Sequence, residues 1–240
     1  MYPTEIDDGL HPNTLHVDLH THTSYSPDAV TSPAELVERA TMMGLDRIAV
    51  TDHGEIEGAL RAHELDPGRV IIGEEIRCRG GTELIGLYLT ERIPYGLSVE
   101  ETAERIRDQG GLIYAPHPFA YARRPTYHAR AALAVADIVE IHNARAFLPR
   151  WNRLAESAAL ERGLPCAAGS DAHFPHEIGH AFTTFPSFDG PDSLRRALAE
   201  ARIGMATITN PLIHLASLTV KVTKLTFRRV RRWPRPDRPG

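Results

Sequence analysis

Residues 15–22 have the sequence LHVDLHTH and indicate which fold this chain of 240 residues adopts. Residues 15–19 have the length of a β-strand, and the predicted strand runs directly into His20 and His22. An open doubly wound sheet normally has a glycine-rich phosphate loop after its first strand, and the two histidines stand in that place here. The segment therefore favours a closed or nearly closed barrel, with the open sheet as the alternative.

Six more segments of strand length follow, and helix-like segments separate them. They cover residues 47–50, 70–72, 84–89, 112–115, 138–141 and 166–168. Ser32 with Glu35 and Ser98 with Glu101 have the spacing of helix capping boxes, which places helices between strands. Repeated strand–helix units predict parallel strands joined by right-handed crossovers. Seven such units in this length predict an α/β barrel in a single domain.

The chain divides into three parts by composition. We expect a short lead-in over residues 1–14, a barrel domain over residues 15–210 and a C-terminal segment over residues 211–240. The C-terminal segment begins as a helix or a strand, because its apolar residues fit either period, and ends in a basic flexible tail. From Lys221 onward, eight Lys and Arg against Asp237 give a charge of +7, which leaves −11 for the rest of a chain whose total is −4. An acidic body is not typical of a domain that coats nucleic acid.

Targeting signals and disulfides are not indicated by the sequence. No apolar run approaches the roughly 20 residues of a membrane span, and the acidic residues 1–10 lack the basic and apolar pattern of a signal peptide. The two cysteines, Cys78 and Cys166, are too few for a disulfide framework and occur outside any CxxC motif. We therefore expect a cytoplasmic protein with two reduced thiols.

Polar residues gather at the ends of the predicted strands. Six strands are each followed by such residues, namely His20, His22, Asp52, His53, Glu74, Glu75, His117, His142, Asn143, Asp171 and His173. In barrel enzymes the carboxyl ends of the strands form the active-site face. Packing alone would place apolar groups there, because a buried unpaired charge is unfavourable. Without a cation, converging carboxylates and imidazoles would also repel one another or stay protonated, so the pattern predicts a metal cluster.

The ligand types indicate which metals to expect. Imidazole and carboxylate groups without thiolates are typical of Zn, Mn or Fe in a catalytic site. Glu75 is placed to bridge two ions, whereas Glu74 alternates with it along the strand and should point away. Some barrel hydrolases bridge their metals with a carbamylated lysine. The only lysines here are Lys221 and Lys224, so binuclear amide hydrolysis of that type is disfavoured.

Six sequence motifs resemble the polymerase-and-histidinol-phosphatase (PHP) family. They are HVDLHTHTSYSPDA, IAVTDHGEIEG, VIIGEEIR, IYAPHPF, VEIHNAR and AAGSDAH, which follow one another in order between about residues 15 and 175. The resemblance implies an α/β fold with a distorted (β/α)7 TIM-like barrel. It also implies a cluster of two or three divalent metal ions.

The resemblance implies a ligand set for each ion. The first ion would bind His20, His22, Glu75 and Asp171, the second would share Glu75 and add His117, and the third would bind Asp28, His53 and His173. Many members have a histidine at the position of Glu83, so the second ion depends on whether this glutamate ligates. Asp28 stands one residue later than the acidic ligand of some relatives, so either Ser26 or Asp28 could take that position. His142 and Asn143 match a strand end near the family site and are expected to orient ligands or substrate.

A metal cluster of this kind is suited to phosphoester hydrolysis. Divalent ions lower the pKa of a bound water to about 7 and neutralise phosphate oxygens, so we expect a metal-bound hydroxide to attack phosphorus. His173 could protonate the leaving oxygen, and Arg123 with Arg124, in the loop after His117, could clamp the phosphate. The expected substrate is a small phosphorylated metabolite or a nucleotide.

Two alternatives remain open from the sequence. A nuclease acting on the ends of short oligonucleotides would use the same metal chemistry, but it needs a cationic track that the acidic body does not provide. A catalytically weakened metal-binding module, recruited through the basic tail, would explain a glutamate at position 83. Deleting residues 228–240 would separate them, because an enzyme keeps its turnover of small substrates whereas a recruited module loses its partner.

Overall fold

Strands and helices alternate along the part of the chain that the computed structural model describes, residues 14–120 and 125–232. The strands are β1 (Thr14–Thr21), β2 (Arg47–Val50), β3 (Val70–Arg77), β4 (Glu83–Leu87), β5 (Leu112–Ala115), β6 (Ile138–Asn143), β7 (Cys166–Gly169), β8 (Ala181–Pro186) and β9 (Arg202–Ala206). The α-helices are α1 (Pro33–Met42), α2 (Glu57–Leu65), α3 (Val99–Asp108), α4 (Pro125–Leu133), α5 (Pro149–Arg162), α6 (Pro191–Ala197) and α7 (Ile213–Arg232). The seven strands expected from the sequence correspond to β1 to β7, and β8 and β9 are two more.

The nine described strands form one sheet with the order β7-β6-β5-β4-β3-β2-β1-β8-β9. β1, β2 and β3 run parallel to one another, and so do β5, β6 and β7. β4 is antiparallel to both of its neighbours, because a tight connection through Gly80 and Gly81, and not a helix, joins it to β3. β8 is antiparallel to β1, and β9 is antiparallel to β8. The expectation of parallel strands throughout therefore does not hold for β4, β8 and β9.

The residues that follow β7 return to β1 and nearly close the sheet. The backbone N–H of Asp171 donates to the carbonyl of His20 (2.8 Å), and the N–H of His22 donates to the carbonyl of Ala172 (2.9 Å). The expected α/β barrel is thus confirmed as a mixed α/β single domain with a nearly closed, barrel-like sheet. This closure brings the polar ends of the first and seventh strands together.

Two apolar clusters hold the barrel together. One joins the strands to one another, and it includes the buried residues Val17, Leu19, Leu87, Tyr114 and Phe185. The other packs helices against strands, and it includes Leu36, Ala40, Ile48, Ala59, Ile106 and Ile113. Burial of apolar side chains stabilises the folded state by about 25 cal/mol for each Å² of apolar surface that is removed from water. Apolar side chains therefore fill the body of the sheet, and polar ones concentrate at the strand ends.

The structure describes the beginning of the C-terminal segment, but little of the N-terminal lead-in. The C-terminal segment forms a helix, α7, over Ile213–Arg232. Residues 1–13 of the expected lead-in and residues 233–240 of the expected tail lie outside the described residues, so their expected properties stay predictions. Among the residues that are described, no helix combines the length and apolar character needed to cross a membrane.

Candidate metal centre

β1 delivers two histidines to one point at the end of the barrel. His20 and His22 are two residues apart and lie on the same side of the strand, with their Nε2 atoms 3.2 Å apart. The β1–β2 register shifts between Asp18 and Thr21, so the regular ladder is interrupted where the histidines begin. Both imidazoles are fully buried, and their nitrogens therefore face other protein groups instead of water.

Glu75 lies among the histidines. Its Oε2 is 2.9 Å from Nδ1 of His53 and 3.4 Å from Nε2 of His22, and its Oε1 is 3.2 Å from Nε2 of His117. Within the described chain, neither oxygen has a hydrogen bond of good geometry, although the side chain is almost fully buried. A buried carboxylate surrounded by ring nitrogens without hydrogen bonds is arranged as a ligand that bridges cations.

Asp171 and His117 adopt strained backbone conformations just after β7 and β5. Their φ angles are +53° and +25°, on the positive side that residues other than glycine rarely adopt. The turn at Asp171 brings its Oδ1 to 3.3 Å from Nε2 of His22 and 3.6 Å from Nε2 of His20. Strain of about 1–3 kcal/mol per residue persists only where the surrounding structure fixes it, and it concentrates at functional sites.

Asp28 faces two further histidines on the outer side of the cluster. Its Oδ1 is 3.6 Å from Nε2 of His53 and 3.5 Å from Nε2 of His173. Nδ1 of His173 is 2.8 Å from the carbonyl oxygen of Asp171, which can only accept, so this nitrogen carries the proton. Nε2 of His173, which faces Asp28, is therefore the ring nitrogen whose lone pair can bind a metal ion.

Three groups of side chains place their ligand atoms within 4.8 Å of one another. They are His20 with His22 and Asp171, His20 with Glu75 and His117, and His22 with His53 and His173. The first group belongs to the first expected ligand set. The second and third groups each combine members of the second or third set with one histidine of the first set, and Asp28 lies beside the third group. The structure therefore brings all eight predicted ligands into one cluster. The assignment of single residues to single ions stays a prediction.

Glu83 lies at the start of β4, where its backbone pairs with Arg77 of β3. It lines the same cavity of about 330 Å³ as Glu75 and His117. Burial and the negative charge of Glu75 raise the pKa of the Glu83 carboxyl. A glutamate in this position is available as a ligand to an ion held by Glu75 and His117, and it would bind the ion as the carboxylate.

Comparisons with known proteins identify the family of this chain. A family model described as PHP domain matches residues 18–110, and one described as PHP-associated matches residues 149–203. An uncharacterised protein of Methanocaldococcus jannaschii is 35% identical over 188 residues, which are 75% of this chain and 75% of that protein. The chain belongs to the PHP domain family.

Solved structures share the fold of this PHP domain. A two-domain protein of Bacteroides vulgatus containing a predicted PHP-like metal-dependent phosphoesterase has a TM-score of 0.63 at 19% identity, over 80% of this chain and 65% of that chain. The lesion-specific endonuclease of Pyrococcus furiosus has a TM-score of 0.59 at 18% identity, over 82% of this chain and 60% of that one. The PHP domain therefore has the fold of PHP-like metal-dependent phosphoesterases, and it spans less than two thirds of both these longer chains.

The donor atoms of the PHP domain fit divalent cations. Besides both oxygens of Glu75, the buried Oδ1 of Asp28 has no hydrogen bond of good geometry within the described chain. Buried acceptor oxygens without donors call for a cation, because leaving them unpaired is unfavourable. The donors are imidazoles and carboxylates, a set that suits Zn, Mn and Fe in catalytic sites.

Glu140 supports the cluster from behind and was not among the residues predicted from the sequence. Its Oε1 is 3.0 Å from Nδ1 of His20, and its Oε2 accepts the backbone N–H of His117 (2.7 Å). The side chain is fully buried. The signal that could have revealed it is a charged residue inside the apolar strand Ile138–Asn143, since a carboxylate is rarely buried there without a role.

The two residues at the end of β6 that were predicted to orient ligands or substrate point in different directions. Asn143 donates from Nδ2 to Oδ2 of Asp171 (3.2 Å) and to Oε2 of Glu140 (3.0 Å), so it holds one predicted ligand in place. His142 turns the other way, with Nε2 3.0 Å from the carbonyl of Thr207. A register shift between Glu140 and His142 separates the two directions. Only Asn143 therefore touches a predicted ligand.

Asp52 fixes the loop between β1 and α1. It accepts hydrogen bonds from the N–H of Thr23 (2.7 Å) and the Oγ–H of Ser26 (2.6 Å). Oγ of Ser26 is 3.2 Å from Nδ1 of His22. Of the two alternatives from the sequence, Ser26 therefore supports a ligand from behind, while Asp28 faces the cluster.

Burial and charge set the protonation of the histidines. Burial, with the nearby His173 and His53, lowers the pKa of His22 to about 3. Burial also acts to lower the pKa of His53 and His117, but the negatively charged carboxylate of Glu75 beside both rings outweighs burial and raises both to about 9. Without metal, the positive charge of the cluster therefore lies on protonated His53 and His117, and a bound cation would replace these protons.

Glu74 points away from the cluster, as the alternation along β3 predicts. Its Oε2 accepts the backbone N–H of Ile93 (2.8 Å), and burial raises its pKa to about 7. Arg123 and Arg124 lie outside the residues that the structure describes, so their role as phosphate clamps stays a prediction.

Proposed function

We propose that this PHP domain hydrolyses phosphoester bonds of a small phosphorylated metabolite or nucleotide, using two or three divalent ions. The single observation that carries the proposal is the position of Glu75, whose two buried oxygens face four imidazoles without a hydrogen bond of good geometry within the described chain. A carboxylate so placed can hold two cations at once, and paired cations are suited to phosphoester hydrolysis. The family match and the fold shared with metal-dependent phosphoesterases support the same activity.

The residues of the chain prepare the site for this chemistry. When bound, the divalent ions would activate a water for attack on phosphorus and neutralise phosphate oxygens. Glu140 holds the ring of His20, and Asn143 holds the carboxylate of Asp171, so the ligands keep their directions when the substrate enters. His173 has only Nε2 available, because Nδ1 is bonded to a carbonyl. It can therefore bind a metal or protonate the leaving oxygen, but not both in the same step.

A phosphorylated substrate also needs cations beside the metal cluster. A second cavity of about 360 Å³ opens next to His53 and Glu75, and its lining includes Arg77, Arg92 and Lys221. Cationic side chains in this position can pair with a phosphate or another acidic group of the substrate. The volume suits a small ligand. We take this cavity as the substrate pocket.

Phosphate release over a panel of monoesters, nucleotides and short oligonucleotides tests the proposal. We expect turnover with Mn²⁺ that chelator abolishes, because the ions supply the activated water. Asp171→Asn should lose this turnover, and His142→Ala should keep it, because His142 contacts no predicted ligand. Folded, metal-loaded protein with no turnover on any substrate would contradict the proposal.

A nuclease acting on the ends of short oligonucleotides is the second candidate, and one observation favours it. Tyr95 lines the same cavity as Arg77 and Arg92 and is 84% exposed, so a base could stack on its ring. The Pyrococcus furiosus endonuclease has the same fold, which does not by itself transfer its substrate. Faster turnover of oligonucleotides than of mononucleotides, lost in Tyr95→Ala, would select the nuclease.

The remaining candidate is a metal-binding module with weakened catalysis. It predicts bound metal without turnover, and it predicts that Glu83→His, which restores the common ligand, would create turnover. We also propose a cytoplasmic location, because Cys78 and Cys166 are both free thiols.

A further inference from the structure

Helix α7 turns its polar side toward the barrel and an apolar side toward solvent. The buried Ser217 accepts a hydrogen bond at Oγ from Nη2 of Arg145 (2.7 Å). Lys224 donates from Nζ to three carbonyl oxygens of the loop between β1 and α1 (2.6–2.8 Å), and Nζ of Lys221 is 3.2 Å from Oδ2 of Asp28. A surface helix normally does the opposite and lays its apolar side on the core.

Four exposed apolar side chains form one row along α7, and we call them the α7 stripe. They are Leu215, Leu218, Val222 and Leu225, which are 63%, 57%, 57% and 48% exposed. Their spacing of three, four and three residues places them in one row along the helix. Single exposed apolar residues are common, but a contiguous row on a polar-anchored helix marks a surface that another body covers.

The charge of α7 indicates what kind of body that is. The helix contains six Lys and Arg residues and no Asp or Glu. Four of these, all arginines, fall within residues 228–232, directly after the α7 stripe. The chain before residue 221 carries −11, so the excess of positive charge is concentrated at this one end of the sequence.

We propose that α7 docks the protein on an anionic lipid bilayer, with the α7 stripe at the boundary between head groups and acyl chains. Helices with basic residues and a row of leucines lie in this boundary, and clusters of four to eight Lys and Arg bind anionic lipids. Because the side facing the barrel is hydrogen-bonded, the helix can stay on the barrel while the α7 stripe meets the lipid. The attachment is peripheral, since no described helix could cross a bilayer.

Nucleic acid and a second copy of the chain fit this surface less well. Nucleic acid would pair with the basic residues and leave the α7 stripe in water. Two α7 helices packed as a coiled coil would share only about two apolar heptads, fewer than a sustained pattern requires. They would also bring two basic helices together without any acidic residue between them.

Vesicle flotation of the full-length protein tests the proposal. We expect flotation with vesicles of phosphatidylcholine and phosphatidylglycerol, and none with phosphatidylcholine alone. The double variant Val222→Asn with Leu225→Asn should partition about tenfold less or weaker still, because two apolar side chains no longer enter the lipid. Leu65→Asn on α2 is the matched control, since Leu65 is also 57% exposed, and it should float like the wild type.

Three results would overturn the proposal. The first is no flotation of the wild type with anionic vesicles, and the second is flotation that the double variant retains. The third is a dimer in light scattering that the double variant dissociates, with no flotation, which would identify a second copy as the occupant. The test is independent of the proposed enzyme activity, because Val222 and Leu225 lie outside the lining of the metal-site cavity, to which Leu218 belongs. The double variant should therefore turn over a soluble substrate like the wild type.

Discussion

Oε1 of Glu140 lies 3.0 Å from Nδ1 of His20, on the far side of the ring from the Nε2 that faces Glu75 and Asp171. A carboxylate that accepts the proton of one ring nitrogen fixes the tautomer and makes the other nitrogen a stronger ligand. Glu140 also accepts N–H groups of His117 and Asn143, so one buried carboxylate orients three residues of the cluster. The cluster of predicted metal ligands therefore depends on a residue that does not face it.

Glu140→Gln is expected to weaken metal binding by about 10- to 100-fold, because the amide no longer makes His20 a strong ligand. Titration of the apoprotein against a competing chelator measures the loss. Glu74→Gln is the matched control, since Glu74 is equally buried but accepts only the N–H of Ile93, and its metal affinity should not change. Equal affinities for the Glu140 and Glu74 variants would remove Glu140 from the site.

The bridging position of Glu75 predicts an unequal loss of metal among single variants. His117→Ala should lower the metal content by about one ion per chain, because this ring belongs to the second ligand group. Glu75→Ala should lower it further, because both of its oxygens face imidazoles of different groups. Elemental analysis of the purified proteins gives the content. His142→Ala should retain it, and a Glu75→Ala protein with the wild-type content would exclude the bridge.

The polar strand ends could be predicted from the sequence, because the carboxyl ends of parallel strands meet on one face. His20, Glu75, His117 and Asp171 lie together for that reason, and the alternation of Glu74 with Glu75 predicts their opposite directions. These inferences need only the strand order and the period of two residues. The barrel could be predicted in the same way, since each of the seven predicted strands forms.

Contacts between distant segments could not be predicted, because no local pattern encodes them. The link of Glu140 to His20 spans 120 residues, and Lys221 reaches Asp28 from a helix whose sequence fits a strand as well. β9 is mostly exposed and short, so it has no apolar run to mark it. The hairpin of β3 and β4 could not be predicted either, because the prediction assumed that a helix connects each strand to the next.

Metal binding should release protons near neutral pH. Without metal, the pKa values of His53 and His117 are about 9, above the ordinary 6.5, so both rings are protonated, and a metal accepts only the neutral ring. Metal affinity should therefore rise with pH up to about 9. Calorimetry in buffers of different ionisation enthalpy counts the protons. Heats that do not depend on the buffer would show that the rings are already neutral.

The same shifts predict how the metal-free protein responds to pH. A histidine whose folded pKa is raised stabilises the fold fully below its unfolded value of 6.5, and this contribution is lost as the pH rises toward 9. His53 and His117 should therefore make the apoprotein less stable across this window, whereas the metal-loaded protein lacks these protons and should not show the loss. Denaturant unfolding of both forms at pH values across the window compares them. Parallel stability profiles for the two forms would contradict the assignment of these rings as ligands.

A side chain added at Gly169 of β7 should collide with the side chains of His20 and Glu140. An added Cβ would lie 2.6 Å from Cβ of His20 and 2.5 Å from Oε1 of Glu140, distances at which one of the groups must move. Gly169→Ala is therefore expected to lower the free energy of unfolding by about 1–3 kcal/mol, as overpacking does, and to lower the metal content as well. Gly190→Ala is the control, because its Cβ would meet nothing within 4 Å and its backbone is extended. Chemical denaturation gives the first quantity and elemental analysis the second. Loss of stability with full metal content would mean that the sheet shifts without moving His20, and the close approach of Gly169 would then serve the fold but not the site.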